Sequence, residues 1–364
     1  MAAPNPSAAP LGLQSKFFNK MDWLLEKFGS KFIIGLSGGG DSLALTKLCA
    51  EYQIKNQSAQ FQAVIIDHAI AIGSDDVAAQ AAKQAQAMGI DARILRVSVR
   101  ITTSIQEEAR KRRYELLNQA ALEFGAKTIL LAHNFEDQIE TLLFRMLRKT
   151  GLDGLAGMRD VQASYDQKRG ETFILARPLL DVSRDSLRKY LAENGIEYYD
   201  DPANENQDFS RVKIRKTWPK IRAIGFSESK LLKIRDLALQ LREMSEKQTR
   251  EFLSTNLIID AALSKISLNL SEENVHIRQR ALSAIIQALS GKQYLEYQKI
   301  ESLAARISEA NFKSATLANV QIKLKNAALV FSPAPKRKNQ AQPSCAEYGR
   351  LRNAIFALLN DFDI

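Results

Sequence analysis

Cysteine is scarce in this chain. Cys49 and Cys345 are the only two in 364 residues, and they form no CxxC spacing. Neither a disulfide framework nor a zinc or iron–sulfur cluster is therefore expected. Long apolar runs are missing as well: none approaches the roughly 18 residues that a membrane span needs. Residues 1–11 are rich in Ala and Pro but have neither a basic n-region nor an apolar core, so no signal peptide is expected, and residues 1–15 read as a disordered leader. A Walker-type phosphate loop is also lacking, because no glycine-rich turn ends in Gly-Lys-Ser/Thr. A reducing cytoplasm fits this pattern.

What is present is ordinary for a globular protein, with 45% hydrophobic and 25% charged residues. The length allows two or three domains. The charge balance is less ordinary: 51 Lys and Arg against 41 Asp and Glu give a formal net charge of +10. Such an excess suits a polyanionic partner, nucleic acid first, although a basic enzyme without such a partner has the same composition.

One stretch organises the rest. Phe32-Ile33-Ile34-Gly35-Leu36 reads as a buried strand, Ser37-Gly38-Gly39-Gly40-Asp41-Ser42 as a turn, and Ser42 to Leu48 as a helix start. Glycines in such a turn let the backbone approach a ligand closely, and a helix start points free N–H groups at a phosphate. Asp41 in that cradle would repel phosphate unless a Mg²⁺ bridges them; its alternative role is to cap the helix.

Beyond this turn, apolar runs at 63–68, 92–99, 127–131 and 173–180 alternate with helical patterns at 77–88, 105–124, 136–148 and 184–194. A further helix is expected over 17–28. Alternation of this kind predicts an α/β fold with a doubly wound parallel sheet, whose ligands bind beyond the carboxyl ends of the strands. Polar clusters fall at three such ends: residues 37–42, Asp67-His68 and Ala132-His133. On the helix that follows the last of them, His133, Asp137, Glu140, Thr141 and Phe144 share one face. A lone histidine there is an ordinary structural residue, but a histidine with two carboxylates and a threonine is a candidate site. Gly151, Gly154 and Gly157 either punctuate a loop or pass close to a nucleotide. Arg211 and Arg215 stand on one face of a basic helix, either solvated or anion-binding.

The Ser37-Gly38-Gly39-x-Asp41-Ser42 turn resembles the SGGxDS motif of PP-loop ATP pyrophosphatases, which have a Rossmann-like fold. With residues 132–141, 151–158, 177–180 and 201–219 in order, and Ala109-Arg110 and Arg113-Tyr114 between, the chain resembles the tRNA(Ile)-lysidine synthetase family over roughly residues 30–220. Two segments depart from that family's pattern: Arg211-Val212-Lys213-Ile214-Arg215 lacks its usual Asn, and Ala69-Ile70-Ala71 replaces Gly-Leu-Arg.

The resemblance implies ATP-dependent ligation of L-lysine to carbon 2 of the wobble cytidine in tRNA(Ile) with a CAU anticodon, through an adenylated base. It implies Ser37, Gly38, Gly39, Gly40, Asp41 and Ser42 as the ATP site, Asp41 and Asp137 as Mg²⁺ ligands, and Asp41, His133 and Asp137 as the catalytic set. Asp137, Glu140, Arg113, Arg211 and Arg215 would bind lysine or phosphate, with His133 either the base for the amine or a residue that orients a phosphate. The partners would be the tRNA and lysine, with no membrane, and a homodimer is an open expectation. The alternative is another PP-loop enzyme such as a tRNA thiolase, which the cysteine usage disfavours.

Residues 16–222 are thus expected to form the catalytic domain and 223–332 a helical and small α+β domain that binds tRNA. Residues 333–364 would form a basic linker and a terminal helix. Within 223–332, Ile234, Leu237, Leu241 and Met244 fit one apolar helical stripe, 281–289 fits another helix, and 320–324 pairs with 328–331 as a hairpin across Lys325-Asn326.

Overall fold

In the computed structural model the described residues are 12–67, 74–97, 105–147, 151–166, 169–199, 218, 221–223, 225, 227–260, 265–269, 274–290, 295–334 and 355. Two compact units divide the chain. The first comprises Met1–Phe144, Met158–Gln162 and Phe173–Glu228, and the second Arg145–Gly157, Ala163–Thr172 and Ser229–Ile364. The second unit therefore includes two segments from within the stretch expected to be the catalytic domain.

The first unit is built on α1 (Leu13–Phe28), β1 (Lys31–Leu36), α2 (Gly40–Lys55), β2 (Gln60–Asp67), α3 (Ser74–Ala87), β3 (Asp91–Arg96), α4 (Ile105–Phe124), β4 (Thr128–Leu130) and α5 (Phe135–Leu147). After the short α6 (Leu152–Leu155), which belongs to the second unit, come β5 (Val161–Asp166) and β6 (Glu171–Ala176), each divided between the units, and then α7 (Arg184–Glu193). The sheet order is β3-β2-β1-β4-β6-β5, and the four pairings from β3 to β6 are all parallel. Ile34 of β1 registers with Ala63 on one side and Leu130 on the other.

The central strands are buried on both faces. Phe32, Ile34 and Ile65 pack with Phe17, Met21, Leu45, Ala81 and Leu187 from helices on one side. Ile33, Val64 and Ile129 pack with Leu117 and Ala121 of α4 on the other. This two-sided cover is why the strands read as continuous apolar runs. The strand order reverses between β1 and β4, and a doubly wound sheet opens a crevice at such a point.

The second unit holds α8 (Glu228–Asn256, which starts on the last residue of the first), β7 (Leu257–Asp260), β8 (Lys265–Asn269), α9 (Val275–Ser290), α10 (Tyr297–Ile307), β9 (Ser314–Leu317), β10 (Val320–Lys325) and β11 (Ala328–Pro333). Its five strands run in the order β7-β8-β11-β10-β9, with antiparallel pairings. Ile266, Leu268, Ile322 and Phe331 from the sheet pack with Leu282, Ile285 and Leu303 from the helices, and Ile355 is buried in the same core. No helix among the described residues is long and apolar enough to cross a membrane.

Several expectations shift. Helix α1 starts at Leu13, inside the stretch read as a leader. The strand expected over 92–99 ends at Arg96. Strand β5 was not expected at all; it lies at the sheet edge and carries few apolar residues. Lys325 pairs with Ala328, so the hairpin turns on Asn326 and Ala327, at φ of 48° and 61°. Two positive φ values are the geometry of a two-residue turn that matches strand twist.

The stripe on α8 is a correction. Ile234, Leu237, Leu241 and Met244 are 37–62% exposed, while Leu231, Ala238, Arg242, Glu246, Thr249, Phe252 and Leu253 are buried. A part-buried ion pair draws the polar residue Glu246 inward: Arg280 of α9 contacts Glu246 at 3.0 Å and also pairs with Asp153.

Candidate active site

The loop after β1 is held by its own serines. The Ser37 N–H donates to Ser42 Oγ (3.2 Å), and the Ser42 hydroxyl donates to the Gly39 carbonyl (2.9 Å). A hydroxyl has one proton, so that of Ser42 is committed to the loop, and Ser37 Oγ, 3.1 Å away, becomes the donor between the two. Gly38 takes φ +84°, and a Cβ there would meet Val77 Cγ1 at 3.3 Å. Gly39 is the N-cap of α2 and has no side chain to close off the first N–H groups of the helix. Asp41 lies in the first helical turn and does not cap it, so that alternative role falls away.

Across the switch point, Asn134 and Asp137 form a reciprocal cap at the start of α5. The Asp137 N–H donates to Asn134 Oδ1 (3.0 Å) and the Asn134 N–H to Asp137 Oδ2 (3.1 Å). Asn134 is fully buried, and its Nδ2 donates to Asp41 Oδ2 at 2.9 Å. The loop at the end of β1 and the helix after β4 are thereby joined by a single amide.

A third element enters through α7. Ser183 caps this helix by accepting the Ser186 N–H, and Arg184 follows as its first residue. The Arg184 N–H donates to Glu136 Oε2 (2.8 Å). Its guanidinium reaches both aspartates, with Nη2 at 3.3 Å from Asp137 Oδ1 and Nε at 3.5 Å from Asp41 Oδ2. Burial pushes the Asp41 carboxyl above its ordinary value; Arg184 opposes this, while Asp137 and Glu136 add to it.

Among the residues expected at the site, the loop 37–42, Asp41 and Asp137 come together. Glu140 is buried one turn further along α5, and His133 is half-buried just before that helix. Arg113 is exposed on α4, beside Tyr114 and Arg110. Asp67 is buried at the end of β2 and accepts the Ser74 hydroxyl at 2.8 Å. His68, Arg211 and Arg215 lie outside the described residues.

The glycine stretch 151–157 belongs to the second unit, where a Cβ on Gly151 would meet the Tyr297 ring at 3.3 Å. There Arg145 Nη1 donates to the carbonyls of Gly154 (3.2 Å) and Gly157 (2.8 Å). Buried Arg177 of the first unit donates to the Arg159 carbonyl (2.8 Å) and ties the turn before β5 to the end of β6.

Sequence reasoning missed Asn134 and Arg184. The spacing Asn134-x-x-Asp137 before an apolar run was a legible capping signal. No comparable signal marked Arg184, which read only as the first residue of a helix.

Residues 13–220 match the PP-loop domain family. A tRNA(Ile)-lysidine synthase of Rhodopseudomonas palustris is 30% identical over 340 residues, which cover 88% of this chain and 94% of that protein. The tRNA(Ile)-lysidine synthase of Bradyrhizobium diazoefficiens is 28% identical over 86% of this chain and 92% of its own length. Among solved structures, the U34-tRNA thiolase NcsA from Methanococcus maripaludis superposes with a TM-score of 0.51 at 18% identity, covering 63% of this chain and 77% of that one. At that identity the likeness concerns the fold alone.

Proposed function

The chain belongs to the tRNA(Ile)-lysidine synthases of the PP-loop family, and on that footing we propose how its residues carry out the ligation. The enzyme is a carbon–nitrogen ligase that uses ATP and acts on tRNA(Ile). In the first step the O2 atom of the wobble cytidine of the CAU anticodon attacks the α-phosphorus of ATP, the bond to the β-phosphate oxygen breaks, and pyrophosphate leaves. In the second step the lysine ε-nitrogen attacks carbon 2, the C2–O bond breaks, AMP leaves, and the nitrogen gives up a proton.

The N–H groups at the start of α2, around Gly38, Gly39 and Gly40, cradle the phosphates, while Ser37 and Ser42 keep the loop in shape. Asp41 and Asp137 supply hard oxygen ligands that converge on one cation, Arg184. Two carboxylates plus substrate phosphates are the donor set that Mg²⁺ favours, and among the described residues no larger group of candidate ligands exists. The metal would neutralise charge on the departing pyrophosphate.

Asp137 and Glu140 are acceptors for the lysine ammonium. Arg113, Arg211 and Arg215 are assigned to the lysine carboxylate or the α-phosphate. An ε-amine is protonated near neutrality, so the second step needs a base, and His133 is assigned that role.

The observation that carries this reading is the near full-length likeness to the lysidine synthases. The test is incubation with tRNA, ATP and labelled lysine. Label retained on tRNA, dependent on ATP and matched by AMP and pyrophosphate, is the expected result. Label from cysteine-derived sulfur in place of lysine would assign the enzyme to the thiolases. We place the reaction in the cytoplasm, and we expect a homodimer, which light scattering tests against the chain mass of 40.7 kDa.

A further inference from the structure

Arg184 is held more firmly by its backbone than by its charge. Its N–H bonds Glu136, and the Phe135 N–H donates to the Val182 carbonyl at 2.9 Å, so the starts of α5 and α7 are pinned together at Arg184 and two residues before it. Its side-chain contacts are looser. At 3.3 Å and 3.5 Å they exceed the 2.7–2.9 Å or so of a tight charge-assisted bond. The guanidinium is also only about one-fifth exposed, so its interactions are weakly screened. Asp137 keeps its second oxygen on the Asn134 N–H, and Asp41 receives the Asn134 amide, so neither carboxylate depends on Arg184 to stay in place.

A fixed cation between two carboxylates that are already positioned occupies the electrostatic place of a metal ion. We propose that Arg184 is a positioning residue that stands in for the divalent cation between Asp41 and Asp137, and that it turns to the nucleotide phosphates when ATP and metal enter together. Free enzyme then holds metal poorly, because the guanidinium already satisfies the aspartates. When ATP arrives, its phosphates offer Arg184 a better, bidentate partner and release the carboxylates to the metal. Metal and nucleotide therefore bind as a pair. This inference rests on the assignment of Asp41 and Asp137 as metal ligands.

The test measures Mn²⁺ binding to the full-length protein by electron paramagnetic resonance without nucleotide, and ATP binding by calorimetry, in wild type, Arg184→Gln and Arg184→Lys. For Arg184→Gln, nucleotide-free Mn²⁺ affinity should rise about tenfold while ATP affinity falls by a similar factor, as expected for residues in one network. A purely structural role would weaken both together. Arg184→Lys keeps the charge without the fork, so Mn²⁺ affinity should stay near wild type while ATP affinity falls. Unchanged or weaker Mn²⁺ binding in folded Arg184→Gln overturns the proposal. If that variant does not fold, retention of wild-type ATP affinity by Arg184→Lys overturns it instead. Asp41→Asn serves as the control: if it leaves Mn²⁺ binding in the presence of ATP intact, the ligand assignment itself fails, whatever Arg184 does.

Discussion

The ring of Tyr198 lies against Gly40: a Cβ built on that glycine would stand 3.2 Å from the ring atoms Cδ2 and Cγ. The next residue, Tyr199, donates its N–H to the Gly38 carbonyl at 3.4 Å. The segment after α7 thus braces the phosphate loop from outside. Gly40 fills the variable position of the motif, and Tyr198 supplies a reason for glycine there. Gly40→Ala should weaken ATP binding several-fold, since a flat ring against the loop yields little. Combined with Tyr198→Ala, it should do far less damage than the sum of the two, because the clash goes with the ring. Calorimetry of ATP binding across the four proteins reads the coupling, and strict additivity would count against the contact.

Gly38 and Gly39 should separate cleanly. Gly38 has φ +84° and Val77 close by, whereas a Cβ on Gly39 would meet nothing nearer than Ser37 Oγ at 3.7 Å. Gly38→Ala should cost roughly 1–2 kcal/mol of stability through left-handed strain, and it should abolish ATP binding. Gly39→Ala should fold like wild type, with a smaller loss of affinity. Urea denaturation and nucleotide titration check both, and equal effects from the two variants would contradict the loop geometry.

Asp41→Asn should trade activity for stability. Removal of the charge should slow pyrophosphate release by about 10²–10³-fold, the scale of a positioned electrostatic group. The Asp41 carboxyl has its pKa raised by burial, so the folded state holds the proton more tightly than the unfolded one. The stability that protonated Asp41 contributes is therefore lost as pH rises from the ordinary value of 3.8 through the folded one, and the variant lacks this pH-dependent contribution. In the absence of ligands, the melting temperature of Asp41→Asn relative to wild type should increase between pH 4 and pH 7. A constant difference across that range would refute the raised value.

His133→Ala should leave pyrophosphate release largely intact and slow lysine transfer, with partial recovery at higher pH as free amine accumulates. Single-turnover measurement of both half-reactions checks this. If release stops as fully as in Asp41→Asn, His133 belongs with the ATP site and the base lies elsewhere.

The two thiols should be dispensable. Cys49 is a fully buried residue of α2 in the apolar core, and burial holds its pKa well above the ordinary value, so it is no nucleophile. Serine at that position would bury a hydroxyl, which makes alanine the cleaner replacement. The Cys49→Ala/Cys345→Ser double variant should incorporate lysine at the wild-type rate; loss of turnover in the folded protein would implicate a thiol in the reaction.

The sequence alone determined the parallel sheet, the phosphate loop and the strand ends where chemistry gathers. Those features are local: a strand buried on both faces must be apolar throughout, and a turn that approaches a phosphate must lack Cβ atoms, so both leave contiguous marks. Even the reciprocal cap of Asn134 and Asp137 was written in adjacent residues. Only the tertiary structure decided what depends on strand order. Asn134 and Asp41 lie 93 residues apart and meet because β4 pairs with β1. Arg184 reaches both aspartates because α7 starts against α5, and no periodicity in its own helix points to them. The same limit explains the second unit. Its segments Arg145–Gly157 and Ala163–Thr172 sit, in sequence, among residues of the first, and α8 turns Glu246 inward and Met244 outward because a half-buried partner, Arg280, waits on a different helix. Hydrophobic pattern states which residues avoid water; which charges face one another is fixed only once distant elements are brought side by side.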